Sequence, residues 1–151
     1  MLPVILVLVC AAVAVGISVV VNRRTTVEPE RGPQWHVPTL VDRNDFARAE
    51  APFAVLAFTS STCMACQDVW EKASVLESGA VGVQRIDSIE RKDLHDRYGI
   101  DAVPMILLVD QVGAVKHNFI GPTTAADLWS AVAEMREPGS VPAGCDTEIC
   151  G

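Results

Sequence analysis

Basic runs are nearly absent from this 151-residue sequence: none exceeds the pair Arg23-Arg24 in length. With a formal net charge of −7 and a calculated pI near 4.8, the chain lacks the electrostatic footprint of a nucleic-acid binder. The same acidic balance disfavours lying flat on an anionic leaflet. No glycine-rich phosphate loop, no Ser/His/Asp set and no H-E-x-x-H sequence occurs, and there is no internal repeat. The three histidines, His36, His95 and His117, are scattered along the chain and read as surface residues rather than ligands or bases.

Charge is also missing from Leu2 to Val21, twenty residues that include Leu6, Val9, Val13, Ile17 and Val20. At about 1.5 Å per residue, a helix of this length measures about 30 Å, the thickness of a hydrocarbon core. A cleaved signal peptide would carry basic residues ahead of an apolar stretch of about 7–15 residues, and neither condition is met. The expectation is therefore an uncleaved single-pass membrane anchor over residues 2–21, with Cys10 serving in it as a small hydrophobe. Arg23 and Arg24 follow the span directly, which points the rest of the chain to the cytoplasm; the extracytoplasmic face is the alternative. Residues 22–36 are polar, with prolines and a glycine, and read as a linker. Residues 137–151, rich in Gly and Pro, read as a flexible tail. That leaves 37–136 for one domain.

Within that domain two runs are apolar on both faces, Phe53–Phe58 and Met105–Val109, as central strands covered by helices must be. Cys66, Val69, Trp70, Ala73 and Leu76 recur at helical spacing and place a helix after the first run. Val81–Ile86 reads as a strand and Glu90–Tyr98 as a polar helix stopped by Gly99. Asp110-Gln111-Val112-Gly113 reads as a hairpin turn into Ala114–Ile120. Thr124 and Asp127 have capping-box spacing at the start of a helix over about 125–135, closed by Pro138. Ahead of these, Pro38–Val41 reads as a short strand and Arg43–Glu50 as a helix capped by Asp42 that exposes its charges and buries Phe46. The expected class is α/β, a mixed sheet with helices on both faces.

Four of the five cysteines form two close pairs, Cys63/Cys66 and Cys145/Cys150. The first pair falls between a buried strand and a helix. A helix N-terminus presents unpaired N–H groups and about half a positive charge, both of which favour a thiolate. Cysteines placed there titrate at about 3.5–7.5 instead of about 8.5, and the thiolate is the attacking species in disulfide exchange. Cys63 is the expected nucleophile. Cys66, one turn later on the same side, is the expected resolving thiol, shielded by Val69 and Trp70.

With this motif in place the sequence resembles the thioredoxin superfamily over roughly Val37 to Met135. The strand Phe53–Phe58, Cys63-Met64-Ala65-Cys66, Tyr98-Gly99-Ile100, Val103-Pro104-Met105, Gly113 and Gly121 occur in thioredoxin order. The resemblance implies a thioredoxin fold and thiol–disulfide exchange with protein substrates, recharged by an upstream reductase or membrane electron carrier and needing no bound cofactor or metal. It also implies a cis Pro104 beside the sulfurs, with Val103, Met64 and Ala65 on the substrate face. The sequence departs from the family where a tryptophan before the motif is Thr62, where Gly-Pro is Met64-Ala65, and where a buried aspartate and its lysine partner align with Ala57 and Val83. A divergent member is expected, one whose resolving thiol must lose its proton to water or substrate.

Two other classes remain in view. A client-binding module would hold extended segments beside Pro104 without turnover. A thiolate metal protein would join Cys145 and Cys150 to the first pair, although their spacing is not that of a usual zinc pairing. Outside the metal reading, Cys145/Cys150 reads as an accessory redox relay, a tail loop closed by a local disulfide, or two idle thiols.

Overall fold

A computed structural model describes residues 35–140 of the chain. The anchor, most of the linker and Cys145/Cys150 lie outside the described residues. Among the described residues, no helix is long and apolar enough to cross a membrane.

Four strands and three helices make up the domain: β1 (Phe53–Thr59), α1 (Met64–Ser74), β2 (Val81–Asp87), α2 (Lys92–Tyr98), β3 (Met105–Val109), β4 (Val115–Ile120) and α3 (Ala125–Arg136). The sheet order is β2-β1-β3-β4. β1 pairs parallel with β2 through the α1 crossover and antiparallel with β3, and β3 pairs antiparallel with β4. The two wholly apolar runs are the inner strands, as their lack of a polar face requires.

Alternation along the inner strands divides the core into two. Leu56, Phe58, Leu107 and Val109 pack with Phe46, Leu94 and Tyr98 on one face. Val55, Ala57, Ile106 and Leu108 pack with Val69 and Ala73 of α1 and Leu128 and Val132 of α3 on the other. At about 1.5–3 kcal/mol per fully buried large apolar side chain, these two layers are the main stabilising contribution. On β4, burial alternates residue by residue, as expected of an edge strand with one wet face.

The helix ends follow the chain's punctuation. Thr124 and Asp127 form a reciprocal capping box. Gly99 ends α2 at φ 64°, its N–H reaching back to the His95 and Asp96 carbonyls.

The segment before β1 departs from expectation. Pro38–Val41 is not a strand: it makes one antiparallel bridge, Leu40 to Ala114, and two flanking hydrogen bonds, Val41 N to Gly113 O and Val115 N to Thr39 O. Pro38 has no N–H to extend the ladder, and the Asp42 carboxylate takes the Asn44 N–H and turns the chain away. Nor is Arg43–Glu50 an α-helix. It holds a single 3-10 turn, Arg43–Asp45. The reason is Arg43, which is buried rather than exposed and donates to the carbonyls of Arg48, Ala51 and Asp110. Those bonds bend the backbone around the guanidinium, and Arg48 adopts φ 55°. Phe46 is buried as expected.

His95 is a second correction. It is buried on the sheet side of α2, its Nε2 3.1 Å from the Ile86 carbonyl oxygen and its ring edge-on to Phe58. The parallel pairing is also more limited than a run of crossovers implies, being confined to β1 and β2.

Candidate functional site

β1 delivers the chain at its C-terminal end to the loop Ser60–Thr62, where the Cys63 N–H bonds the Ser60 carbonyl. Cys63 is the N-cap of α1, in extended backbone conformation, and its sulfur accepts the N–H of Cys66 at 3.1 Å. The cysteine therefore occupies the capping position usually held by Ser, Thr or Asp. The first turn of α1 contains no acid to compete for the helix's partial positive charge.

Cys63 and Cys66 are joined as a disulfide, with Cα atoms 5.3 Å apart. The two sulfurs differ in access. Cys66 is wholly buried on the sheet side of α1, with Val69, whereas Cys63 is partly exposed. Met64 stands in solvent at 92% exposure, and Ala65 is half-buried. Trp70 is half-buried against the α1–α3 core rather than fully enclosed.

The Val103–Pro104 peptide is cis. Met105 stands opposite Phe58 in the sheet, so Val103 and Pro104 emerge at the same end as Cys63. The Pro104 carbonyl accepts the Gly121 N–H, which ties the start of β3 to the end of β4. Ala57 is fully buried and lies beside Arg85 in the sheet register, so the family's aspartate position holds no proton acceptor.

The thioredoxin family profile matches residues 39–134. The chain belongs to the thioredoxin family. A mutant thioredoxin from Halobacterium salinarum NRC-1 is similar at 19% identity, covering 74% of this chain and all of that one, with a TM-score of 0.53. StoA from Bacillus subtilis, at 18% identity, covers 54% of this chain and 83% of its own, with a TM-score of 0.45. A malarial protein, also 18% identical, covers 54% and 94%, with a TM-score of 0.48. No curated protein sequence matches this one. The thioredoxin fold with its close Cys63–Cys66 pair is the arrangement of a thiol–disulfide oxidoreductase.

Three residues near the pair, Thr59, Arg85 and Gln67, belong to no motif in the sequence. Thr59, the last residue of β1, is fully buried, and its hydroxyl accepts from Arg85 Nε at 3.1 Å. The same guanidinium donates to Gln67 Oε1 at 3.3 Å, on the residue that follows Cys66. A charge inside the strand Val81–Asp87, next to the motif-bearing strand, was the available signal. Among the described residues, no three His, Cys, Asp or Glu side chains gather as a metal site.

Proposed function

We propose that this protein exchanges disulfides with protein partners through Cys63 and Cys66. The observation that carries the reading is the asymmetry of the pair: a partly exposed sulfur capping α1, bonded to a buried one a turn further on. In the reducing direction, the Cys63 thiolate attacks a substrate disulfide, forms a mixed disulfide and expels one substrate thiolate. Cys66 then loses its proton and attacks the Cys63 sulfur, releasing the second substrate thiolate and re-forming the bond between the two cysteines. Electrons pass through the sulfurs alone, and an upstream reductase or membrane electron carrier resets the pair. Val103, Pro104, Met64 and Ala65 form the face against which an extended substrate segment lies. Residues 2–21 anchor the protein in a membrane by one span, with the domain on the cytoplasmic side.

Insulin reduction by dithiothreitol tests the reading. The full chain should accelerate turbidity onset, and Cys63→Ser should abolish the acceleration. Cys66→Ser should accumulate a mixed disulfide at Cys63. No acceleration above the uncatalysed rate would overturn the exchange reading and favour a binder of extended segments. Labelling Cys63 with a membrane-impermeant thiol reagent tests the orientation, since modification in intact cells would place the domain outside.

A further inference from the structure

The resolving step has an unmet electrostatic need. Cys66 has no solvent exposure, and burial disfavours a thiolate. No carboxylate stands on the α1-facing side of β1, which Val55, Ala57 and Thr59 occupy. Something else must make the anion accessible.

Arg85 is the group placed to do so. Residues 55, 57 and 59 of β1 share the α1-facing side of the sheet, and in register Val83, Arg85 and Asp87 of β2 share it with them. Arg85 therefore rises beside Ala57 toward α1. Its guanidinium is fixed at two points, the buried hydroxyl of Thr59 and the side chain of Gln67. These acceptors lie on the segments that enter and leave the cysteine motif, and Gln67 adjoins Cys66. The other charges near this end are arranged differently. Asp87 and Glu90 line an open hollow together with Ser61 and Arg85 itself, and Asp87 Oδ1 is engaged by the Ile89 N–H. Asp68 is paired with Lys72, and Glu71 accepts from Gln67, on the outer side of α1.

We infer that Arg85 is a positioning residue for the resolving step, its guanidinium clamped between Thr59 and Gln67 so that its charge stabilises the Cys66 thiolate. The inference rests on the proposed disulfide exchange. In this step the Cys66 thiol gives its proton to water. The resulting thiolate forms a bond to Cys63 Sγ, and the bond from Cys63 to the substrate sulfur breaks, with the electron pair leaving on the substrate. Arg85 exchanges no proton. It takes the place of an absent base by favouring the anion, and so acts on the second half-reaction more than on the first.

The two halves can be timed separately with 5,5′-dithiobis(2-nitrobenzoate), added below the protein concentration to reduced full-length chain carrying serine at Cys10, Cys145 and Cys150. Attack by Cys63 releases one coloured thiolate, and attack by Cys66 releases the second. Arg85→Gln should raise the pH midpoint of the second release by about one unit, which slows it about tenfold at neutral pH. The first release should change by less than about threefold, and Arg85→Lys should recover part of the loss. A second release whose midpoint is unmoved in Arg85→Gln overturns the inference. So does equal slowing of both releases together with a lowered melting temperature, since a purely structural role gives that result. The underlying exchange reading fails differently: a second release whose rate does not depend on protein concentration would persist in Cys66→Ser.

Discussion

The backbone N–H of Cys66 donates to the sulfur of Cys63, making a cysteine the cap of α1. In the reduced protein this bond and the helix's partial positive charge both act on the anionic form of Cys63. Its thiol should titrate below the about 8.5 of a free cysteine. Thiolate absorbance at 240 nm against pH, in the chain with Cys66→Ser, measures it. A midpoint at or above the free value would remove the basis for Cys63 as nucleophile.

Tyr98 is the chain's single tyrosine, so its ionisation can be followed without interference. Burial, and then its hydrogen bond to Asp45, raise its pKa above the ordinary 10.0, outweighing the Asp42 N–H that it accepts and the nearby Arg97. Absorbance at 295 nm should show the native phenol titrating above the unfolded value. Because the folded pKa is the higher one, its contribution to stability is complete below pH 10 and fades as pH rises through the native midpoint. Tyr98→Phe should abolish this alkaline dependence and lower stability by about 1–2 kcal/mol, since two hydrogen bonds are lost.

Asp110 organises the β3–β4 turn. Its Oδ1 accepts the N–H groups of Val112 and Ala114, and its Oδ2 pairs with Lys116. Burial pushes its pKa up, but the Lys116 and backbone hydrogen bonds prevail and hold it below 3.8. A depressed folded pKa stabilises the protein above the unfolded value, and the effect is lost as pH falls through the folded one. Asp110→Ala should therefore be less stable than wild type at pH 7, with the gap narrowing as pH is lowered past 3.8 in urea denaturation.

Gly113 has φ 90°, and a Cβ there would lie 2.0 Å from the Val41 carbonyl oxygen. Gly113→Ala should cost about 2 kcal/mol or more, combining left-handed strain with displacement of the Val41 segment. Thr124→Ala, by contrast, removes only the capping box of α3 and should cost about 1 kcal/mol. Paired denaturant midpoints rank the two, and the reverse order would show that the segment before β1 yields easily.

The features legible in the sequence are those set by short-range pattern. Phe53–Phe58 and Met105–Val109, apolar on both faces, read as inner strands, and Thr124 with Asp127 has the spacing that opens a helix. The cysteine motif was readable for the same reason: its meaning depends on the strand before it and the helix after it. What escaped depends on distant partners. Arg43 looks like a surface charge until the Asp110 carbonyl, 67 residues on, is seen to receive it. His95 lies in a polar stretch, and only the Ile86 carbonyl and Phe58 ring explain its burial. Arg85 acquires a role only when the sheet places it beside Ala57.

The Leu40–Ala114 bridge sits at one extremity of the sheet and the cysteines at the other, because β1 runs from the first toward the second. The leading segment's fastenings, Val41 to Gly113, Arg43 to Asp110 and Asp42 to Tyr98, all gather at that first extremity. Force arriving through the polypeptide ahead of Trp35 would thus be absorbed by the hairpin before it could disturb the sulfurs. A cargo protein grafted in front of the domain should leave exchange rates intact even where it loosens the hairpin.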